Sequence, residues 1–436
     1  MLDKMYVTKG DLIITSKPFA FVLFSLEANY RCDQCFKILK TKISCFKCLK
    51  VAYCSRKCQS EATEQDNHRL ECPVMMNRPL WTMTRLITRV IKRLEKSDTD
   101  MEVVIGNHKR DWSCLMDHYD NIVKDYSVMR DFELIYDDLC LIFGDTLPKM
   151  ETIISIYGKL LINSFAIQDP LMKPIGRAIY LGPSIFDHSC RPSVSFMFIG
   201  TQLYIKAIKS MPITDITDLK ISYIDEFETT DERQKILRSA YYFDCDCERC
   251  CLTECVVQMY EQKELRSFCE KIEQLSQEMM AKQLIARTGG SGHQNFGVSI
   301  AQNDNNIISE LVANLRKDVM PLNTVLQVKI AEFVANRDNN FDLWIQVMDI
   351  FRRYYGDCHN RLAVKLYLLA KSANKYSSLK NQMLTEAKAI AVYITPNLRD
   401  YTRDQLTEKR DIVKYDRHQS LSDSLLNSTL LYLIES

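Results

Sequence analysis

The residues of this chain best suited to chemistry are its cysteines, and their spacing is that of metal ligands. Seventeen cysteines occur in 436 residues, and eleven of them fall in two stretches, 32–72 and 190–250. The first stretch reads Cys32-x2-Cys35-x9-Cys45-x2-Cys48-x5-Cys54-x3-Cys58-x9-His68-x3-Cys72. Eight such donors are enough for two tetrahedral zinc ions. A CxxC turn wraps both sulfurs around one ion. Cys54 with Cys58 and His68 with Cys72 are each spaced so that one helical turn puts both donors on the same face. Sites closed by four protein ligands leave no open position, so they build structure rather than catalyse. The second stretch offers Cys190 and then the close trio Cys245-x-Cys247-x2-Cys250. Cys114, Cys140, Cys251, Cys255, Cys269 and Cys358 are scattered and read as small buried hydrophobes.

Apolar residues make up 46% of the chain and charged residues 26%, ordinary values for a soluble globular protein. A length of 436 residues suits two or three domains rather than one core. The net charge of +1 gives no overall field that would draw the molecule onto nucleic acid or an anionic membrane. Met1-Leu2-Asp3-Lys4-Met5 has no apolar signal region, and no apolar run is long enough to span a bilayer. A cytoplasmic and nuclear location is expected, without membrane. In that reducing setting clustered cysteines point to metal rather than disulfides. Between Arg31 and Lys57 eight Lys and Arg stand against Asp33 alone. That stripe reads as a solvated face, with DNA contact as the alternative.

The elements that must position these groups follow from periodicity. Residues 11–24 read as two short strands around Ser16-Lys17-Pro18. Met83, Leu86, Ile87, Val90, Ile91 and Leu94 share one face of an amphipathic helix, and helical pattern fills roughly 128–165. From 193 apolar residues alternate, giving strands at Val194-Phe196-Phe198, Leu203-Ile205-Ala207 and Leu219-Ile221-Tyr223. Beyond Cys255 the pattern is helical, with helices around 341–355, 360–373 and 378–393. The glycine-rich 286–306 reads as a loop.

Two motifs give these elements a family. The first cluster resembles the MYND finger, in which ligand pairs one and three share one zinc and pairs two and four the other. By that match Cys32, Cys35, Cys54 and Cys58 hold one ion, and Cys45, Cys48, His68 and Cys72 the other. Thr63 stands where such fingers usually carry a Trp ahead of the His. Asp187-His188-Ser189-Cys190-Arg191-Pro192-Ser193 resembles the NHSCxPN motif of SET domains, and Cys245-x-Cys247-x2-Cys250 resembles the post-SET motif. The resemblance implies a third zinc on Cys190, Cys245, Cys247 and Cys250. A MYND finger set inside a SET domain resembles the SET-and-MYND (SMYD) family of protein-lysine methyltransferases, over about residues 10 to 255.

The fold implied is α+β: a split β-rich SET domain with an inserted two-zinc MYND finger, a zinc-binding post-SET segment and an all-helical, TPR-like C-terminal domain. The implied boundaries are 1–31 for the first part of SET, 32–72 for the finger, 73–150 for a helical insertion, 151–239 for the SET core, 240–255 for post-SET and 256–436 for the helical domain. The family's GxG strand is expected upstream of Gly10, before Met1. The activity implied is transfer of methyl from S-adenosylmethionine to a histone or other protein lysine. Phe165, Tyr223 and Tyr241 match the lysine channel, with Tyr223 nearest the transferring methyl. Asn163, Asp187, the His188 backbone, Tyr223 and Phe243 match the cofactor site, Phe243 stacking on adenine. Peptide partners are expected on the finger and the C-terminal helices. The sequence departs from the family at Asp187, where Asn is usual, and at Ile216-Thr217-Asp218, where Gly-Glu-Glu is usual. The alternative is an inactive SET and MYND adaptor.

Overall fold

Runs of β-branched and aromatic residues form the strands from which the fold is assembled. In the computed structural model residues 5–64, 67–96, 100–104, 108–251, 341–356, 359–372 and 377–394 are described, with Val325, Val328, Lys329, Ala331, Glu332 and Ala335. The first strands are β1 (Met5–Val7), β2 (Leu12–Ser16) and β3 (Ala20–Leu23). The finger follows with the hairpin β4 (Ile43–Ser44) and β5 (Ala52–Tyr53), then α1 (Arg56–Glu64) and α2 (Glu71–Asn77). α3 (Thr82–Lys96) buries Leu86, Ile87, Val90 and Ile91, as its period requires.

Within 73–150, expected to be helical, stands a hairpin, β6 (Met101–Val104) with β7 (His108–Asp111). It is fixed from outside. Glu102 accepts hydrogen bonds from the Ser16 hydroxyl at 2.8 Å and the Gly182 amide at 2.7 Å. The helices α4 (Tyr119–Ile122), α5 (Tyr126–Phe143) and α6 (Met150–Asn163) complete this region, and Asp125 caps α5 by accepting from the Ser127 and Val128 amides.

β8 (Ser164–Gln168) and β9 (Pro174–Ile179) join β3 in an antiparallel sheet with β9 at its centre. Alternate residues of β3 face opposite layers. Phe21, Leu23, Ile175 and Ala178 enter a strand core with Ile14, Val194, Leu203 and Ile205. Ala20, Val22 and Ile179 meet α3, α5 and α6. β10 (Val194–Ile199) and β11 (Gln202–Ala207) form a hairpin that pairs with β2, and β12 (Met211–Ile213) pairs with β1. The alternation at Leu219-Ile221-Tyr223 does not become a strand. Ile221 makes a single parallel bridge with His188, while the Lys220 carbonyl accepts from the Ser193 and Val194 amides at 3.0 and 3.2 Å and the Tyr223 amide donates to the His188 ring, so the segment's hydrogen bonds do not form one continuous ladder. α7 (Thr230–Tyr241) and α8 (Glu248–Cys251) close this half of the chain.

α9 (Phe341–Tyr355), α10 (Asn360–Ser372) and α11 (Ser377–Ile394) make the helical C-terminal region. Its core of Val347, Met348, Phe351, Leu362, Leu366 and Ala387 takes in Phe227 from the strand-rich half, whose ring lies 4.9 Å from those of Phe351 and Tyr354. Of the scattered cysteines, Cys140 and Cys251 are exposed and Cys114 half-buried, contrary to the expectation of buried hydrophobes. Cys140 stands on the outward face of α5, where burial is not required. Cys255, Cys269, Cys358 and the glycine-rich 286–306 lie outside the described residues.

Two contacts seat the finger on the core. Phe36 is buried at 1% exposure and packs edge-on to Phe21, ring centres 5.7 Å apart. A Cβ on Gly176 would come within 2.4 Å of the Phe36 ring, so only glycine lets that ring lie on the sheet. The second contact is a quartet of buried charges. Arg85 and Arg89, one turn apart on α3, each pair with both Asp33 and Glu71 of the finger. Their remaining donors reach β3, Arg85 to the Leu23 carbonyl at 3.4 Å and Arg89 to the Phe21 carbonyl at 2.7 Å. Burial works to raise the Asp33 carboxyl, but the two guanidiniums outweigh it and hold it well below its usual range. Removing one member of such a set strands the others as unpaired buried charges. Arg89→Met should therefore cost roughly 3–5 kcal/mol, read from the first transition in urea. A loss within experimental error would show that the quartet does not hold finger to core.

Candidate functional site

The metal candidates are built from local turns. Each CxxC of the finger closes by a backbone hydrogen bond, Phe36 amide to Cys32 carbonyl at 2.9 Å and Leu49 amide to Cys45 carbonyl at 3.1 Å. The residue after each pair is left-handed, Phe36 at φ 62° and Leu49 at φ 57°. The Cys72 amide bonds the His68 carbonyl at 3.0 Å, setting those two donors on one helical turn.

Three groups of four donors result: Cys32, Cys35, Cys54 and Cys58; Cys45, Cys48, His68 and Cys72; Cys190, Cys245, Cys247 and Cys250. Within each, the donor atoms lie within 4.8 Å of one another. Cys35 to Cys54, Cys54 to Cys58, Cys45 to Cys72 and Cys190 to Cys250 are each 3.6 Å between sulfurs, and Cys48 Sγ is 3.3 Å from His68 Nε2. A tetrahedron of sulfurs about zinc has edges of ~3.8 Å given its ~2.3 Å bonds, whereas disulfide sulfurs stand at ~2.0 Å. The donor sets fit zinc. Burial pushes the His68 pKa below its ordinary value and so favours the neutral imidazole a metal requires. The ligands of each finger site lie within the finger. Glu71 of the charge quartet, however, is adjacent to Cys72 and Asp33 to Cys32, so loss of metal is felt at α3.

The third group reaches further. The Arg233 side chain, wholly buried, points Nη2 at Cys250 Sγ from 3.7 Å, a cation beside thiolates. His188 stands between this group and Tyr223. Its Nδ1 accepts from the Tyr223 amide at 3.1 Å, which leaves the proton on Nε2, 3.2 Å from Cys190 Sγ. Burial lowers the His188 pKa to about 4 and keeps the ring neutral.

Tyr223 lines a cavity of about 330 Å³ together with Asn163, Phe165 and Tyr241. Phe165 is the second residue of β8, an edge strand, and packs edge-on to Phe196 at 5.3 Å and Tyr180 at 5.7 Å. The Tyr223 and Tyr241 rings are 5.0 Å apart. The Tyr223 hydroxyl donates to the Phe186 carbonyl at 2.9 Å, and the Tyr241 hydroxyl to the Tyr223 carbonyl at 3.2 Å. Burial raises both phenols above their ordinary pKa, so neither serves as a base near neutrality. Asn163 gives its amide hydrogens to the Met116 and Lys159 carbonyls, both at 2.8 Å, keeping its oxygen as an acceptor.

Asp187, His188 and Phe243 do not line the cavity. They lie next to Tyr223, with the His188 ring 5.4 Å from that of Tyr223 and 6.0 Å from that of Phe243. Asp187 is exposed, and its carboxylate accepts from Lys220 at 2.9 Å. The bridge to Ile221 uses the Asp187 carbonyl and the Ser189 amide, leaving the His188 amide and carbonyl outside that ladder. A backbone donor and acceptor left outside the ladder, beside a carboxylate, suit the polar groups of an amino-acid cofactor.

The sequence reading missed the cavity's charged rim. The Glu226 carboxylate bonds His359 Nε2 at 2.8 Å, and Arg361 reaches Asp225 at 2.6 Å and Glu226 at 3.4 Å. Burial would raise the Glu226 carboxyl, but His359 and Arg361 overcome that and hold it at about 2. Arg177 also lines the cavity unannounced. Its only signal was a charge inside the otherwise apolar Ile175–Ile179 run.

A family model, "MYND finger", matches residues 32–72. The Danio rerio protein named N-lysine methyltransferase SMYD2-B is 28% identical over 260 residues, 55% of this chain and 55% of that one. The Mus musculus protein named Histone-lysine N-methyltransferase SMYD3 is 28% identical over 290 residues, 64% of this chain and 66% of that one. The chain is a relative of the SMYD family. It spans between about half and two thirds of the length of these relatives. The Homo sapiens N-lysine methyltransferase SMYD2 is 26% identical over 247 residues, 55% of either chain.

If the three donor groups of this SMYD relative are metal centres, metal analysis of the reduced protein should return three zinc ions per chain. One ion or none would overturn the assignment. Leu49 is 69% exposed and held left-handed, so Leu49→Gly should remove strain at little packing cost. We expect a gain of about 1 kcal/mol, seen as slower loss of metal to a chelator. Faster loss would show that the Leu49 side chain supports the site.

Proposed function

We propose that this chain is a protein-lysine methyltransferase that uses S-adenosylmethionine. The observation that carries the reading is the cavity in which Phe165, Tyr223 and Tyr241 meet. S-adenosylmethionine, when bound, supplies a methyl group on a sulfonium. Asn163, Asp187, the His188 backbone, Tyr223 and Phe243 would hold it.

The chain's own task is to present a neutral amine. A free lysine has a pKa of ~10.4, and only its unprotonated form has a lone pair to give. Aromatic walls attract the cationic side chain as it enters. The same walls disfavour the ammonium once water is excluded, lowering its pKa, and align the amine for attack. The phenol of Tyr223, anchored to the Phe186 carbonyl, keeps oxygen lone pairs that can polarise groups at the channel's end. The proton leaves to solvent, since the raised phenols do not accept it.

The same reading divides the chain at 1–31, 32–72, 73–150, 151–239, 240–255 and 256–436 into first SET part, finger, insertion, SET core, post-SET and helical domain. Its partners are a protein lysine, histone or other, and peptides docked on the finger and the C-terminal helices. Its place is the cytoplasm and nucleus. Among the described residues no helix is long and apolar enough to cross a membrane.

The test is steady-state methylation of arrayed lysine peptides. Tyr223→Phe should lower kcat by roughly tenfold or more, a larger loss than in cofactor affinity, because the loss of a group acting in the transition state falls on rate. Equal rates for variant and parent would remove Tyr223 from the chemistry. Absence of transfer by the parent would leave an adaptor.

A further inference from the structure

One charge in the cavity goes unanswered among the described residues. Arg177 lies on β9 at the centre of its sheet, opposite Ala166 on one side and Val22 on the other. It lines the cavity with Phe165 and Tyr241 and is half-buried. Among the described residues its guanidinium makes no hydrogen bond or ion pair. Burial pushes its pKa below the ordinary value, the mark of a cation short of water. The other charged side chains lining the cavity are matched, since Arg361 and His359 take up Asp225 and Glu226.

A guanidinium withdrawn from water without a partner destabilises the fold. Its planar fork of donors fits a carboxylate through two parallel hydrogen bonds, and the fit improves as water is excluded. The position says where that carboxylate comes from. Of the five residues assigned above to the cofactor, Asp187, His188 and Phe243 lie outside the cavity lining, and Asn163 and Tyr223 line it together with all three channel aromatics. The cavity also runs along edge strand β8, past Ser164, Phe165, Ala166 and Gln168. Arg177 is thus on the side where a substrate segment lies.

We propose that Arg177 binds a carboxylate side chain of the substrate, so that the site selects lysines with an Asp or Glu close by in sequence. This rests on the methyltransferase reading and adds a specificity-determining residue to it.

The experiment uses the zinc-loaded full chain and paired fluorescent peptides. Each pair has one lysine and either Glu or Gln at one neighbouring position, the position being varied. Binding is read by anisotropy and methyl transfer separately. At one or two positions the Glu peptide should bind about tenfold tighter than its Gln partner. Arg177→Gln should erase that difference, and Arg177→Lys should keep part of it. Equal binding of Glu and Gln peptides at every position would overturn the inference, even if the lysine is methylated. Acid-dependent binding without methylation would sustain it while sinking the enzymatic reading. If Arg177→Gln instead weakens S-adenosylmethionine binding and leaves the peptide preference intact, the carboxylate is the cofactor's and the inference fails. The parent's preference is measured without any variant, so a variant that fails to fold leaves the inference open to refutation.

Discussion

The architecture depends on four buried charges. Arg85 and Arg89 of α3 are held between Asp33 and Glu71 of the finger and the Phe21 and Leu23 carbonyls of β3. Hydrophobic burial alone could attach a small metal module in many orientations, because it has no direction. Two guanidiniums whose donors are divided between finger and sheet allow one. Phe36 adds shape to that registration, fitting over a glycine that any side chain would displace. Since Asp33 follows Cys32 and Glu71 precedes Cys72, the same backbone that carries the metal ligands carries the acids. Finger, helix and sheet therefore answer to one another.

A second line of contacts runs from the Cys190 group to the cavity. Arg233 faces Cys250, His188 lies between Cys190 and the Tyr223 amide, and the Tyr223 carbonyl receives the Tyr241 hydroxyl. The neutral His188 ring has a defined tautomer because each nitrogen has its own partner. This closed group of four donors, which fits zinc, is thus linked to the backbone of Tyr223 without touching the cavity, as outer-shell contacts are elsewhere. On the far rim, Glu226 is held by His359 and Arg361 of the helical region, so that region completes the wall.

What could be read from sequence was local. Cysteine pairs spaced for one turn act within that turn, so Cys45 and Cys48 or Cys54 and Cys58 are legible wherever the chain goes. The α3 face was legible for the same reason, as Leu86, Ile87, Val90 and Ile91 repeat at the helical period. The alternation at Leu219-Ile221-Tyr223 was read as a strand and is not one, since a strand needs a partner along its length and alternation cannot supply it. Arg85 and Arg89 escaped notice because charges on an amphipathic helix are ordinarily solvated. Their acids come from a segment with its own purpose. Arg177 and the Glu226 rim depend on β9 and α10 meeting one cavity, and no spacing records that. Phe165, Tyr223 and Tyr241 were found through the motifs beside them, not through their own pattern.

The central claim is that these contacts shape a site for a sulfonium cofactor and a lysine. Isothermal titration of S-adenosylmethionine into the zinc-loaded chain tests it most directly. The account predicts saturable heat at one site per chain, diminished when Asp187 or Phe243 is replaced by Ala. A flat titration from a protein holding its full complement of zinc would contradict it.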